Sequence, residues 1–222
     1  MPTALIIGAS RGIGHELARQ YLADGWRVIA TARKATDCAS LEQIGAHSHM
    51  LDVTAPDAIA ALGWKLADEA IDVAVLNAGV FGPRNDGAPI GVEFDLVMHT
   101  NVLAAMRLLP ILGPRVAAAR GKLAVMSSRM GSLAARTSNS GTLYRASKAA
   151  LNSVLLDASI SFGPLGATCV ALHPGWVRTE MGGASAELDI DVSANAIRTT
   201  LAQLGSAANG HFLNYDGTPI PW

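Results

Sequence analysis

The sequence predicts an α/β fold, a doubly wound parallel sheet of seven strands with helices on both faces. Short aliphatic and β-branched runs alternate with longer alanine-rich stretches along the chain. The short runs are continuously apolar, which is typical of parallel strands that are covered on both faces. The predicted strands are residues 4–7, 27–31, 49–51, 72–76, 122–127, 168–172 and 211–214.

We expect the chain to be a single domain over residues 1–222. A chain of 222 residues can bury one large core, and half of its residues are hydrophobic while only 16% are charged. No repeat, linker or low-complexity tract divides it. The Pro/Gly-rich stretch 82–91 is expected to be a surface loop, because the alternation of strands and helices resumes after it.

Composition argues against several kinds of partner. The net charge is −1 and no basic block could follow a phosphate backbone, so no nucleic-acid partner is expected. Cys38 and Cys169 form no C-x-x-C motif and are interpreted as free cysteines in a reducing compartment. His47 and His49 are interpreted as the start of a strand, since no cysteine or carboxylate cluster stands at metal-ligand spacing, and no metal is expected.

The apolar stretches suggest neither a leader nor a membrane span. The run 4–7 is too short for a signal core, and the region 102–119 is interrupted by two arginines and two prolines. A cytoplasmic protein without a membrane partner is expected. The helical stretches 96–119 and 144–161 are apolar on more than one face, which favours a homodimer or homotetramer over tight burial within one chain.

A glycine motif follows the first predicted strand directly. Glycines at this point allow a sharp turn and a close approach to a pyrophosphate, which then faces the amino terminus of the next helix. The motif predicts a Rossmann-type nucleotide site, with a nucleotide that lacks nicotinamide, or S-adenosylmethionine, as alternatives. A P-loop is excluded because no Gly-Lys-Ser/Thr follows. The residues of this loop are Gly8, Ser10, Arg11, Gly12, Ile13 and Gly14.

Basic residues follow the second predicted strand. A free ribose 2′-hydroxyl favours a carboxylate here, but the chain has Arg33 and Lys34, with Arg11 in the glycine loop. Cations suit a 2′-phosphate, so NADP(H) is preferred over NAD(H). The alternative is that these are exposed cations without a role.

One of the three tyrosines has a lysine four residues later. Tyr144 and Lys148 share a helix face at this spacing. An adjacent ammonium favours the phenolate, so we expect the pKa of Tyr144 to be lowered and the pair to act as an acid/base device.

Five separated motifs, taken in order, resemble the short-chain dehydrogenases/reductases over residues 3–222. The closing Pro-Gly-Trp-Val, with the Met-Gly-Gly at 181–183, is similar to the C-factor and sniffer-type carbonyl reductases. The motifs are Gly8-x-x-x-Gly12-x-Gly14, Asp52-Val53, Asn77-Ala78-Gly79, Ser128 with Tyr144-x-x-x-Lys148, and Pro174-Gly175-Trp176-Val177-x-Thr179.

The resemblance implies a catalytic set and an activity. Tyr144 would exchange a proton with the substrate oxygen, and Ser128 would hydrogen-bond that oxygen. Lys148 would lower the Tyr144 pKa and bind the nicotinamide ribose, while Asn101 would support a proton relay through water. An NADPH-dependent carbonyl reductase, acting on a small carbonyl or alcohol compound, is the function that this implies.

The resemblance also implies cofactor contacts. The glycine loop, Arg33, Tyr144 and Lys148 belong to this set. At the adenosine end, Asp52 and Val53 would contact the adenine, and Asn77, Ala78 and Gly79 would lie beside the adenosine. At the other end, Val177 and Thr179 would contact the nicotinamide carboxamide, after the turn formed by Pro174 and Gly175.

Three departures from the family pattern stand out. Ile7 replaces a common threonine, and Leu76 replaces the first asparagine of Asn-Asn-Ala-Gly. The stretch between Ser128 and Tyr144 is longer than in many members, so Ser127 and Ser132 are alternatives for the serine role. The segment 178–191 is expected to be a short substrate loop, and the side chains expected to face the substrate are Met130, Leu133, Trp176 and Met181.

Two other functions remain open. One is a nucleotide-binding regulator with vestigial catalysis, which C-factor-like relatives suggest. The other is an isomerase, dehydratase or epimerase on the same fold.

Overall fold

The computed structural model describes residues 1–82 and 89–222, and it confirms the predicted class of fold. Seven parallel strands form one sheet in the order β3-β2-β1-β4-β5-β6-β7. The strands are β1 Thr3–Ile7, β2 Arg27–Ala32, β3 His47–Met50, β4 Val73–Leu76, β5 Lys122–Met126, β6 Thr168–His173 and β7 His211–Asn214. Most of the predicted loop at 82–91, residues 83–88, lies outside the described residues.

Helices follow the strands and cover the sheet. A π-helical turn, His99–Leu103, joins α4 to α5, and 3₁₀ turns lie at Arg129–Gly131 and Ser206–Ala208. The α-helices are α1 Gly12–Ala23, α2 Ala35–Gln43, α3 Pro56–Lys65, α4 Gly91–Met98, α5 Ala104–Ala118, α6 Thr142–Phe162 and α7 Ile190–Gln203.

Two hydrophobic cores lie on opposite faces of the sheet. Leu5 and Ile7 point into the core formed with α3, α5 and α6, whereas Ala4 and Ile6 point into the core formed with α1, α2 and α7. Successive side chains of a strand point to opposite faces, so a strand buried on both sides leaves few positions for polar residues. This explains the continuously apolar runs in the sequence.

The third strand begins two residues before the predicted start, at His47, which pairs with Ile29 of β2. Because β3 is the edge of the sheet, its side chains are half-buried or exposed, and polar residues are tolerated there. The hydrophobic pattern therefore could not mark where it starts.

The chain from α4 to α5 forms one continuous helix, Gly91–Ala118. Among the described residues this helix is long and apolar enough to cross a membrane, but half of its most apolar window is buried inside the fold. Leu108, Leu112 and Val116 pack into the core on the α3–α5–α6 face of the sheet. Burial of the helix in that core accounts for its apolar character.

Strand order places the functional site. The chain winds outward in one direction from β1 to β3 and in the other from β4 to β7. In such sheets a crevice opens at the carboxyl ends of the strands where the winding reverses, between β1 and β4. The loops after β1 and β4 carry two of the five motifs.

Candidate active site

The turn after β1 is built around glycines that no other residue could replace without displacement. Gly8 has φ +86°. A β-carbon on Gly14 would stand 2.2 Å from the Gly8 carbonyl oxygen, so the helix starts in direct contact with the strand end. The Asn77 side-chain amide donates to that oxygen at 2.7 Å, and the Thr31 hydroxyl accepts from the Gly8 N–H at 3.0 Å. Thr31 supplies a hydroxyl to this turn, where Ile7 has none.

Helix α1 begins at the turn with its amino terminus open. Its N-cap residue, Arg11, makes no capping side-chain bond, and its first turn has no acidic residue. The first N–H groups of such a helix bind anions, helped by the helix dipole. The Arg11 guanidinium forms an exposed ion pair with Glu180, and Thr179 Cγ2 lies 3.5 Å from the β position of Gly12. The first and last motifs thus meet at this terminus.

Arg33, Asp52 and Val53 lie near the ends of β2 and β3. Arg33 is exposed. Asp52 accepts hydrogen bonds from the hydroxyl and N–H of Thr54, at 2.7 and 2.9 Å, and these bonds, with a smaller effect of Arg33, lower its pKa. Val53 is buried. The exposed Arg33 therefore lies at the end of the sheet where a dinucleotide's adenosine would lie.

Asn101 lies in the π-helical turn and is buried, with both of its amide N–H groups and one lone pair of its carbonyl oxygen hydrogen-bonded. Its carbonyl accepts from the Val80 N–H at 2.8 Å, and its amide donates to the Val80 carbonyl at 2.8 Å and to the Ser147 hydroxyl at 3.0 Å. A β-carbon on Gly79 would stand 3.3 Å from Asn101 Oδ1 and 3.4 Å from Lys148 Nζ. Gly79 therefore lies in the gap between two of the predicted catalytic groups.

Tyr144 and Lys148 are both buried on one face of α6. Lys148 Nζ lies 5.6 Å from the centroid of the Tyr144 ring and donates to the Met126 carbonyl at 2.8 Å. Burial lowers the pKa of Lys148 to about 8. Burial also raises the pKa of Tyr144 to about 12, against a lowering effect of a hydrogen bond with the Ser128 side chain.

The expected lowering of the Tyr144 pKa by Lys148 is therefore wrong for this structure. Lys148 Nζ donates to the Met126 carbonyl, and the pKa of Tyr144 is raised by desolvation of the phenol, against a smaller lowering effect of the hydrogen bond with Ser128. The tyrosine is protonated at neutral pH.

The three serines that are candidates for the catalytic role, Ser127, Ser128 and Ser132, have different hydrogen-bond partners. Ser128 interacts with the Tyr144 hydroxyl and accepts from the Met130 N–H at 3.2 Å. Ser127 donates to Asn152 Oδ1 at 2.6 Å, and Ser132 donates to the Pro221 carbonyl at 2.5 Å. Only Ser128 of the three is brought to Tyr144 by these bonds.

The segment after β6 folds back on itself beside α1. Gly175 has φ +85°, a conformation that disfavours a side chain, and a β-carbon there would displace the end of the Leu188 side chain, at 2.3 Å. Val177 is buried, the Pro174 carbonyl accepts from Ser193 at 2.6 Å, and Thr179 accepts from the Gly182 N–H at 3.0 Å.

Arg178 forms hydrogen bonds across the rest of this segment. Its guanidinium donates to Asp189 at 2.8 Å and to the Ala186 carbonyl at 2.7 Å. Residues 178–189 contain turns but no helix, and Leu188 forms an isolated bridge with Val177. They form a short loop beside a cavity of about 390 Å³ that Gly12 also lines.

Two residues of the site escaped the sequence analysis. Phe81 stacks on Tyr144, with ring centroids 4.6 Å apart and planes inclined by 25°. Ser147 joins Asn101 to the Tyr144 carbonyl, to which it donates at 2.8 Å. Ser147 stands directly before Lys148, so its motif position was a signal. Phe81 carries no chemical group that a sequence pattern would single out.

These groups can perform proton transfer beside a nucleotide. A protonated phenol, a serine hydroxyl and a lysine ammonium lie together at the carboxyl ends of β4 and β5, in the sheet whose β1 ends at the uncapped helix terminus. The donor set fits a nicotinamide dinucleotide. The glycine turn and α1 terminus suit the pyrophosphate, and the exposed Arg33 suits a phosphate on the ribose.

Comparisons with known proteins show the family to which the chain belongs. The sequence profile of the family described as short chain dehydrogenase matches residues 2–189. The C-signal protein of Myxococcus xanthus is 38% identical over 159 residues, which are 68% of this chain and 93% of that protein.

Solved structures extend the similarity over the whole chain. The carbonyl reductase Sniffer of D. melanogaster has a TM-score of 0.90 at 31% identity, covering 100% of both chains. A carbonyl reductase from Pseudomonas aeruginosa in complex with NADP has a TM-score of 0.85 at 37% identity, again covering 100% of both chains.

Proposed function

The chain belongs to the short-chain dehydrogenase family of oxidoreductases, and from that premise we propose that it is an NADPH-dependent carbonyl reductase. It would convert an aldehyde or ketone to the alcohol. The observation that supports this most is the proximity of Tyr144, Ser128 and Lys148 to one another at the carboxyl end of β5. A protein that only binds nucleotide has no need of a buried phenol held by a serine hydroxyl.

In this proposal side chains of the protein donate the proton to the substrate's carbonyl oxygen and stabilise the negative charge that develops on that oxygen. When bound, NADPH supplies the hydride for the carbonyl carbon. Tyr144 donates its phenol proton to the carbonyl oxygen, and its raised pKa keeps that proton in place at neutral pH. The Ser128 hydroxyl hydrogen-bonds the same oxygen as negative charge develops there.

Lys148 and Asn101 would then restore the tyrosine. The ammonium of Lys148 stabilises the phenolate that remains after proton donation, and it binds the nicotinamide ribose. Asn101, fixed by Val80 and Ser147, would hold water for the return of the proton. In the oxidation direction the same groups act in reverse order.

The proposed preference is for NADP(H) over NAD(H). Arg33 would meet the 2′-phosphate, while Arg11 would exchange its exposed partner Glu180 for a phosphate oxygen. Solved relatives with NADP bound support the nicotinamide cofactor. Asp52 and Val53 would lie at the adenine, Asn77 and Ala78 beside the adenosine, and Val177 and Thr179 at the carboxamide.

We also infer the localisation of the protein and its binding partners. The whole chain would act as one nucleotide-binding domain in the cytoplasm, with residues 178–191 as its substrate loop. Its partners would be a small carbonyl or alcohol compound and further copies of the chain, as a homodimer or homotetramer. Exposed apolar residues on α4 and α5, such as Val92, Leu96 and Met106, support self-association.

The experiment is a measurement of NADPH and NADH consumption with aliphatic, aromatic and quinone carbonyls. Tyr144→Phe should lose roughly 10²- to 10⁴-fold in kcat, because the proton donor is gone. Tyr21→Phe is the matched control, since it removes another buried phenol, in the core beneath α1. Full turnover in Tyr144→Phe would overturn the mechanism.

A regulator is the second candidate, favoured by the 38% identity to the C-signal protein. It predicts nucleotide binding without turnover of any carbonyl in the panel. Titration of NADPH fluorescence would then show binding by the wild-type protein, although no carbonyl in the panel is reduced.

A further inference from the structure

Arg145 is a buried arginine that has no carboxylate partner within the described parts of the chain. It follows Tyr144 on α6 and is only 8% exposed. Its guanidinium donates to two backbone carbonyls, from Nε to Ser140 at 2.7 Å and from Nη1 to Met130 at 3.5 Å. Burial of a guanidinium is costly unless its N–H groups find acceptors. The acceptors that Arg145 finds belong to the segment that joins Ser128 to α6.

The 3₁₀ turn Arg129–Gly131 packs directly on α6. A β-carbon on Gly131 would stand 2.8 Å from the carbonyl carbon of Lys148 and 2.9 Å from its Cβ, so the turn lies against the helix backbone and leaves no room for a side chain there. Before the turn, Ser127 donates to Asn152 of the same helix at 2.6 Å. Helix α6 therefore holds the chain on both sides of Ser128.

Met130 connects Arg145 to Ser128. The Met130 N–H donates to the Ser128 hydroxyl oxygen at 3.2 Å, and the Met130 carbonyl accepts from Arg145. A serine oxygen that accepts from a fixed N–H has its own proton directed away from that donor. The side chain of Tyr144 also hydrogen-bonds Ser128. The orientation of the Ser128 hydroxyl toward Tyr144 thus depends on where the Met130 backbone is held.

We propose that Arg145 is a positioning residue for Ser128: by holding the Met130 backbone against α6, it keeps the Ser128 hydroxyl aligned with the Tyr144 side chain. The proposal rests on the proposed function of Ser128, which is to hydrogen-bond the substrate oxygen. A guanidinium suits this task because its N–H groups lie in one fixed plane and can donate to two carbonyls together.

Loss of the guanidinium should then act through Ser128. In Arg145→Met the side chain keeps its apolar stem, but the Met130 backbone loses its link to α6. Misplacing a hydrogen-bond donor at the reacting oxygen weakens transition-state stabilisation, so we expect kcat to fall about tenfold. When Ser128→Ala is already present there is no hydroxyl to align, and Arg145→Met should lower kcat less than about twofold.

The experiment measures kcat in a double-mutant cycle of Arg145→Met and Ser128→Ala, with NADPH and the carbonyl compound that the wild type reduces fastest. Arg145→Lys is measured in the same two backgrounds. Lysine keeps the charge but lacks the planar pair of donors, so its loss of kcat should be smaller and should also vanish with Ser128→Ala. The lysine cycle decides the matter if Arg145→Met does not fold.

Arg115→Met is the matched control. Arg115 is another arginine that donates to backbone carbonyls, and it lies in the last turn of α5, where its own carbonyl accepts from the Ile71 N–H ahead of β4. Its substitution should lower stability but leave kcat unchanged in both backgrounds. The carbonyls that it holds are those of Gly63, Leu66 and Ile111.

A second readout does not need catalysis. In protein labelled at the methionine nitrogens, NMR follows hydrogen exchange of the Met130 N–H, whose signal is identified by its absence from Met130→Leu. Arg145→Met should make this exchange about tenfold faster, because the turn can open locally, whereas Arg115→Met should not. If the wild type reduces no carbonyl, the proposed reductase fails while this exchange still decides whether Arg145 holds the turn beside Ser128.

Two results would overturn the proposal. Equal fold losses of kcat with and without Ser128→Ala would show that Arg145 acts independently of Ser128. Unchanged exchange of the Met130 N–H in Arg145→Met would show that the guanidinium does not hold the turn.

Discussion

The side-chain amide of Asn101 donates a buried hydrogen bond of 3.0 Å to the hydroxyl of Ser147. Ser147 in turn donates to the Tyr144 carbonyl at 2.8 Å. The π-helical turn that carries Asn101 is thereby fastened to the helix that carries the proposed acid and its lysine. A π-helical turn within a longer helix often accompanies a functional site, and here both N–H groups of the Asn101 amide are hydrogen-bonded.

Replacement of Ser147 tests this link. Ser147→Ala leaves one N–H of the Asn101 amide unpaired in a buried place, so the free energy of unfolding should fall by about 1–3 kcal/mol. We also expect kcat to fall several-fold, since Asn101 loses one of its two anchors. Denaturant unfolding and steady-state kinetics measure the two effects. Ser153→Ala, on an exposed face of α6, is the control, and equal behaviour of both variants would contradict the link.

Alanine variants of two serines separate catalysis from stability. Ser128→Ala should lower kcat roughly 10²- to 10³-fold, because it removes the donor expected to face the substrate oxygen. Ser132→Ala should change kcat little but destabilise the fold by about 1–3 kcal/mol, since its buried hydroxyl joins Pro221 to the Ala135 N–H. Steady-state kinetics and thermal unfolding measure these effects, and a reversed outcome would place the serine role at Ser132.

Cofactor preference depends on Arg33 in the proposed site. Arg33→Asp should raise the KM for NADPH roughly tenfold to hundredfold and spare NADH, because hydrogen bonds to a phosphate are charge-assisted. Arg120→Asp makes the same charge change before β5, at the amino end of the sheet and away from the site. An NADPH preference that survives Arg33→Asp would leave the 2′-phosphate without this partner.

Acid should destabilise the fold through His173. Burial, aided by the positive charge of Arg129, lowers the pKa of His173 to about 4. Between pH 6.5 and 4 the unfolded chain binds a proton that the folded chain does not, so stability present above pH 6.5 is lost as the pH falls, by about 3 kcal/mol in all. Below about pH 4 this contribution is constant.

The variant His173→Gln should lack this part of the pH dependence. Denaturant unfolding of both proteins at several values between pH 4 and 7 gives the two slopes. Parallel slopes would show that His173 is not the group responsible, whatever the absolute stabilities are.

Much of this molecule could be predicted from local patterns. Six of the seven strands were found within one residue at each end, because a strand buried on both faces leaves a continuous apolar run, and the half-exposed edge strand β3 was misplaced by two residues at its start. The glycine turn could also be predicted from the sequence, since Gly8 and Gly14 occupy positions where backbone conformation or contact excludes a side chain. Burial of a whole strand and exclusion of a side chain each restrict the residue types within a short segment, so they can be recognised in the sequence.

The sequence by itself therefore determined the class of fold, the place of the nucleotide turn and the pairing of Tyr144 with Lys148 on one helix face. Only the tertiary structure decided which serine meets Tyr144, that Phe81 covers its ring, and that burial raises its pKa. The physical reason is that desolvation and hydrogen-bond partners are set by segments far apart in the chain. Their balance depends on how closely those segments pack, which no spacing of residue types records.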